Sequence, residues 1–235
     1  MKKQFLYGIH AVKAALGNKR RQNKTLYVTS KSREKLGAIP ASLTVKNVSA
    51  DAFDTLVPPG SVHQQVVLET HPLPFLPLEA FCKQHPQQAR LVILDQVTDP
   101  HNIGAILRVV AALEADALLI TAMHSADVMG GTVAKVASGA LEHVPIISET
   151  NLSQALEYLK DKGFWCYGFD ERGTDVRTTK TWPEKTALVF GAEGRGLRRL
   201  TKEKCDQLLS VPTSKAFPTL NVSTTVSIAL YTTKA

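Results

Sequence analysis

Residues 189–200, VFGAEGRGLRRL, set three glycines around Glu193 at the end of an apolar run. A glycine-rich turn after a strand suggests a phosphate cradle, but the spacing argues against one. A dinucleotide fingerprint needs G-x-G-x-x-G after the first strand of its unit. Here the order is G-x-x-G-x-G and it falls late in the chain. The G-K-[ST] of a Walker loop is missing, and Glu193 would repel a pyrophosphate held against the amides of the turn. Two readings remain. The glycines let the backbone approach a flat or cationic ligand, with Glu193 reaching a hydroxyl, an amide or a positive centre. Alternatively, the turn is a plain strand–helix connection and Glu193 a charge in the first turn of the helix.

Two further loops carry chemistry-bearing residues. In DQVTDPHNIGAILR, residues 95–108, a strand ends in a turn and a helix follows, with Asn102 and Arg108 less than two helical turns apart. In VPTSKAFPTLNVSTT, residues 211–225, Thr219 and Asn221 precede a helix. Taken singly, Asn102 and Asn221 read as helix caps and Arg108 as a surface charge. Taken together, polar loops at carboxyl ends of one parallel sheet predict a single site.

The elements that hold these loops follow from apolar patterning. LVILD, ALLIT, VPIIS, FWCYGF, TALVF and QLLSV are continuous apolar runs. Helices near 103–115, 131–140, 151–162, 197–206 and 221–233 separate or follow them. Such strands are buried on both faces of a parallel sheet, so an open doubly wound α/β fold is expected. THPLPFLPLE, with prolines at 72, 74 and 77, reads as a stiff connector. It divides a small α/β domain at 1–70 from a larger domain at 80–235, with the linker at 71–79. In the first domain a helix closes at Gly17 and strands lie at TLYVT, LTVKNV and VHQQVVLET. Ser49 is expected to cap the helix SADAFDTLV.

Composition narrows the function classes. Residues 1–70 hold eleven Lys/Arg against four Asp/Glu, while residues 71–235 hold seventeen of each. The whole net charge of +7 therefore sits in the first third. That asymmetry predicts a polyanionic partner, RNA or DNA, with Arg20, Arg21 and Lys24 among the contacts. Cys82, Cys166 and Cys205 show no C-x-x-C spacing and the histidines no paired-ligand spacing, so neither a disulfide framework nor a metal is expected. This usage fits a reducing cytoplasm. The start, MKKQFLYGIHAVKAAL, lacks the apolar core of a signal peptide, and no run approaches a membrane span.

The motifs in DPHNIGAILR (N-x-G-x-x-x-R), VFGAEGRGL (G-A-E-G-x-G) and PTLNVS (L-N-V-S) resemble, in order and spacing, those of the SpoU/TrmH family of RNA ribose 2′-O-methyltransferases. KVASGALEHVPI resembles an inter-motif signature. YGIHAVKAAL and VHQQVV resemble the substrate-binding domain of the branch that methylates a guanosine ribose of large-subunit ribosomal RNA. The resemblance implies an S-adenosyl-L-methionine-dependent enzyme. It also implies a trefoil knot at the carboxyl end and a homodimer with the active site at its interface. The knot is an implication of resemblance only, since general topology rules argue against threading. The cofactor's adenosine is expected on backbone groups at Gly191, Val211 and Leu220, with Gly196 in the same loop. The cofactor carries no phosphate, so a carboxylate at Glu193 is tolerated. Glu193 can then serve the polar network of the site or hold the loop.

By the same correspondence Arg108 is the base that frees the ribose hydroxyl, and Asn102 orients neighbouring groups. A guanidinium stays protonated at working pH, so Arg108 can equally act on a phosphate that takes the proton, or fix that phosphate. Thr219 stands where the family has serine and keeps its hydroxyl. Ser-Thr-Thr-Val replaces Ser-Val-Ala after Asn221, and Gln65 replaces a common glycine. Transfer RNA as target, and a non-catalytic RNA-binding or ribosome-assembly protein on the same fold, are the competing readings.

Overall fold

A computed structural model describes residues 3–122 and 127–233. The chain begins with β1 (Gln4–Tyr7), α1 (Ile9–Gly17), β2 (Asn23–Val28), α2 (Ser30–Arg33), β3 (Thr44–Asn47) and β4 (Val66–Thr70). It continues through α3 (Leu78–Gln84), β5 (Ala89–Asp95), α4 (Pro100–Ala112), β6 (Ala117–Thr121) and α5 (Gly131–Ala137). Then follow β7 (Ile146–Glu149), α6 (Leu152–Asp161), β8 (Trp165–Asp175), β9 (Lys185–Gly191), α7 (Arg199–Lys204), β10 (Gln207–Ser210) and α8 (Val222–Thr232).

Contacts divide the chain into two compact units. The first comprises Met1–Pro74, Ile103–Arg108 and Asp127–His143; the second comprises Phe75–Asn102, Val109–Ala126 and Val144–Ala235.

In the first unit a four-stranded sheet runs β1-β4-β2-β3. Its β4, VVLET, is buried at every residue and pairs antiparallel with both β1 and β2. Tyr7, Phe53, Val57 and Val67 form a cluster in this unit. α5 packs on β1, and its capping turn at Ala140–Glu142 lies against α1. Several sequence expectations give way here. β1 was not anticipated, because two lysines precede it and Gly8 follows at once. Residues 50–55 form a 3₁₀ helix, and the Ser49 side chain makes no capping bond. Gln64 and Gln65 leave the expected strand, adopting left-handed backbone at φ 55° and 57°.

The second unit is built on six strands in the order β10-β8-β9-β5-β6-β7, every pair parallel. Leu91, Ile93, Leu119 and Val189 from the sheet pack with Leu78 and Phe81 of α3 and Leu152, Leu156 and Leu159 of α6. Burying each such side chain contributes about 1.5–3 kcal/mol, which explains why the strands read as unbroken apolar runs. α3 starts at Leu78, inside the stretch expected to be connector, its signal masked by the prolines before it.

Between Leu208 and Leu209 the pairing of β10 jumps from Gly168 to Thr174 on β8. Residues 169–172 therefore have no partner on β10, while the Gly173 carbonyl accepts from the Ser210 hydroxyl at 2.9 Å. They stand out at the carboxyl end of the sheet, where a parallel α/β sheet takes its ligands.

Candidate active site

The loop 191–198 closes on itself. Ala192 and Gly196 form an isolated bridge, with the Gly196 amide donating to the Ala192 carbonyl at 2.8 Å. A Cβ on Gly191 would lie 2.0 Å from the Gly196 carbonyl carbon, so only glycine permits this approach. α7 begins at Arg199, which removes Glu193 from any helix first turn. What holds the loop is Asp95, a buried residue at the end of β5. Its carboxylate accepts from the Arg198 Nε at 2.7 Å, the Arg198 amide at 3.1 Å and the Thr201 hydroxyl at 2.7 Å. Sequence reasoning passed over Asp95. The only signal for it was a carboxylate closing an apolar strand.

Asp99, not Asn102, caps α4: its side chain accepts from the His101 amide at 2.9 Å, and Pro100 fills the first helical position. The cap reading that Asn102 admits when taken singly is thereby removed. Its buried side chain is left for another partner, Asn221. The Asn221 Nδ2 donates to Asn102 Oδ1 at 2.9 Å and to Glu193 Oε1 at 2.7 Å. Its Oδ1 accepts from the Ser223 amide at 2.8 Å and the Ser223 hydroxyl at 2.6 Å, capping α8. One side chain thus ties the three motif loops together and starts the last helix.

Beside this knot of hydrogen bonds lies a cleft of about 1030 Å³. Gly191, Gly196, Val211 and Leu220 line it, as do Glu193, Thr219 and Asn221. Residues 169–172, the stretch without a partner on β10, form another wall. There Asp170 pairs with Lys202 at 2.5 Å. Burial pushes the Asp170 carboxyl up, but the Lys202 hydrogen bond and charge, with the Arg172 amide, outweigh it and hold the group below its ordinary value. The cleft therefore offers main chain, apolar surface at Val211 and Leu220, the carboxylates of Asp170, Glu171 and Glu193, and the guanidinium groups of Arg172 and Arg195. A lysine that could take a phosphate is already engaged. With three carboxylates in its lining, the cleft fits a nucleoside bearing a positive centre.

Two expected residues sit differently. Thr219 is exposed and makes no hydrogen bond among the described residues, so no buried partner awaits its hydroxyl. Arg108 is exposed on α4 and has no hydrogen-bond or ion-pair partner among the described residues. Six helical steps turn it about 120° away from Asn102. Gly104, the glycine of N-x-G, has a packing role: a Cβ there would lie 2.5 Å from that of Val136.

The chain's residues 89–231 match the model of the SpoU rRNA Methylase family, and residues 5–76 match that of RNA 2′-O ribose methyltransferase substrate binding. The chain belongs to the SpoU rRNA methylase family. Among its relatives in sequence is the 23S rRNA (guanosine-2′-O-)-methyltransferase RlmB of Haemophilus ducreyi, 38% identical over 96% of this chain and 95% of the relative. That of Vibrio vulnificus is 35% identical, over 98% and 96%. An uncharacterized tRNA/rRNA methyltransferase of Synechocystis sp. is 35% identical over 97% of this chain, which spans 61% of that relative's length. The fold is shared with the AdoMet-bound rRNA methyltransferase of Sinorhizobium meliloti (TM-score 0.81, 23% identity, 99% and 87% of the two chains). It is shared too with the SpoU methyltransferase AviRb of Streptomyces viridochromogenes in complex with AdoMet (TM-score 0.79, 21% identity, 99% and 89%).

The family's substrate-binding region holds the basic residues singled out above, and one of them is corrected. Arg21 is buried. Its guanidinium pairs with both Glu142 oxygens, at 2.7 Å for the closest, and donates to the His71 carbonyl at 2.9 Å. It has nothing left for a phosphate. Arg20 and Lys24 are exposed, Arg20 also donating to the Glu142 carbonyl at 3.0 Å. Among the described residues no cluster of His, Cys, Asp or Glu could hold a metal. No described helix is long and apolar enough to cross a membrane.

Proposed function

We propose that the chain is an S-adenosyl-L-methionine-dependent methyltransferase acting on a ribose 2′-hydroxyl of RNA, the target being a guanosine of large-subunit ribosomal RNA. The observation that carries this reading is the double donation of Asn221 to Asn102 and Glu193, which joins the three motifs at the rim of a cleft without a phosphate cradle. The relatives named for 23S rRNA guanosine methylation, matched over nearly their full length, support the target.

In this reading the backbone at Gly191, Gly196, Val211 and Leu220 holds the adenosine. The bound cofactor supplies an electrophilic methyl on a sulfonium. Glu193, fixed by Asn221, keeps negative potential at the rim and favours a cationic ligand over a phosphate. Asn102 and Asn221 hold their amides in one orientation. Catalysis by positioning needs such groups to be fixed before the substrate arrives. Arg108 carries a permanent charge and anchors a target phosphate, or acts through it on the hydroxyl proton. Residues 1–70 capture RNA through Arg20 and Lys24, the linker at 71–79 connects, and 80–235 carries the methyl-transfer site. The reading includes a homodimer, which the 73% exposure of Tyr231 on α8 supports, the knot of the family at the carboxyl end, and a cytoplasmic location.

The test is incubation of the purified chain with isotope-labelled S-adenosyl-L-methionine and an unmodified large-subunit ribosomal RNA transcript. Nuclease digestion and mass spectrometry then identify the product. One labelled 2′-O-methylguanosine is expected, and transfer RNA is the comparison substrate. Cofactor binding by calorimetry with no label in either RNA would overturn the reading.

A further inference from the structure

The loop between β10 and α8 carries an aromatic ring that the methyl-transfer reading leaves unused. Phe217 is 73% exposed at the tip of SKAFP. The tip is bounded on each side by residues of the cleft wall, Thr213 before it and Pro218 and Thr219 after it. It is also stiff. The Phe217 amide donates to the Ser214 carbonyl at 3.1 Å and the Ser214 hydroxyl at 3.0 Å, closing an isolated bridge. The Thr213 hydroxyl donates to the Pro218 carbonyl at 2.9 Å. The following proline restricts Phe217 to extended backbone. An exposed ring on a restrained backbone has little left to lose on binding.

The tip itself carries a cation. Lys215 is exposed and forms no ion pair among the described residues, while the cleft wall mixes exposed Arg172 and Arg195 with exposed Glu171 and Glu193. A protein interface core is depleted in charge, and the other tip residues, Ser214, Lys215 and Ala216, offer no large apolar neighbour. An aromatic face with an unpaired cation on the same tip is an arrangement that holds single-stranded nucleic acid, stacking a base while the charge takes a phosphate.

Resting on the methyltransferase reading above, we infer that Phe217 is a stacking platform for an unpaired nucleobase of the RNA at the rim of the cleft. Lys215, on the same tip, takes a neighbouring phosphate. The base is one splayed from a loop or bulge, because a paired base has no free face to offer.

The experiment compares wild type with Phe217→Ala, Phe217→Leu and Phe217→Trp in the full-length chain. Binding of the unmodified large-subunit transcript is measured by filter retention, cofactor binding by calorimetry and mass by light scattering. Alanine and leucine are expected to raise the RNA dissociation constant roughly 5- to 150-fold, the range of one lost base stack. Tryptophan is expected to bind as wild type, its emission quenched on adding RNA. Cofactor affinity and mass should not move. Lys215→Ala should reduce the salt slope of RNA binding by about 0.7, one contact to a single strand. Leucine binding as well as phenylalanine would overturn the inference, since apolar contact would then suffice. So would a fall in mass on alanine substitution, which would mark Phe217 as a contact between copies of the chain. A wild type that binds RNA without methylating it would overturn the methyltransferase reading and leave the stacking measurement valid.

Discussion

Asn221 performs two tasks through two ends of one amide, and substitution can take them apart. Its Oδ1 caps α8 through Ser223, and its Nδ2 holds Asn102 and Glu193. Serine retains capping but is too short to reach the other two groups; alanine loses both. The difference in stability between Asn221→Ala and Asn221→Ser is therefore the cap, about 1 kcal/mol. For a chain of this size that is a further fall in Tm of about 2–4 °C. The serine variant itself leaves the Oδ1 of buried Asn102 without its donor, at a cost of about 1–3 kcal/mol if no water replaces it. Glu193 is exposed and loses little. In methyl transfer the ordering differs, because both variants break the same bridge between motifs and should fall together. Scanning calorimetry and a single-turnover methylation assay on the two proteins give the four numbers needed. Full transfer in Asn221→Ser would show that the bridge between the three motifs is not part of the site. Equal melting temperatures would show that the cap contributes nothing.

The buried pair should be the more fragile. Arg21→Ala is expected to cost about 3–5 kcal/mol in urea unfolding, since buried Glu142 loses its ion-pair partner, whereas Arg20→Glu with Lys24→Glu should cost less, about 1 kcal/mol for the lost Arg20 hydrogen bond, and flatten the salt dependence of RNA binding. Arg108→Lys should lower turnover by roughly 10²-fold or more while cofactor affinity holds, and a lysine variant near wild type would show that charge alone suffices. The Asp170 carboxyl is depressed in the fold, so its stabilisation is present above the ordinary carboxylate value of about 3.9 and is lost as pH falls through the lower one. The stability gap between wild type and Asp170→Asn should narrow accordingly in urea titrations from neutral to acid pH. Burial pushes the thiols of Cys82, Cys166 and Cys205 up, Cys205 to about 12, so a thiol reagent near pH 8 should react slowly with the native protein and rapidly with all three once it is unfolded.

What the sequence disclosed was whatever short-range patterning encodes. LVILD, ALLIT and TALVF declared a doubly buried parallel sheet, and the three motif loops fell at its carboxyl ends as expected. The cleft gathers every residue expected to touch the cofactor. What stayed hidden depended on partners far along the chain. Arg21 looks like one more surface charge until Glu142, 121 positions later, is seen to consume it. Asn102 looks like a cap because Asp99, three residues earlier, is equally able to cap and is better placed. The jump in register that frees residues 169–172 comes from β10, nearly forty residues downstream, and nothing in FWCYGF announces it. Thr219 was legible as a hydroxyl, but its exposure was not.

That first compact unit, drawn from Met1–Pro74, Ile103–Arg108 and Asp127–His143, has a consequence for synthesis. All four strands of its sheet have been synthesised by Thr70, yet Glu142 is made 121 residues after Arg21. At about 5–20 residues per second the guanidinium waits roughly 6–24 s for its carboxylate. During that interval the nascent sheet lacks α5 against β1 and keeps the Arg21 guanidinium in water, so its last side-chain contacts close only when the chain is more than half made. A fragment ending at Pro74 would be halted permanently at that stage. It should be expressed with residues 127–143 supplied, by fusion or as a peptide, if it is to reach the packing it has in the whole protein.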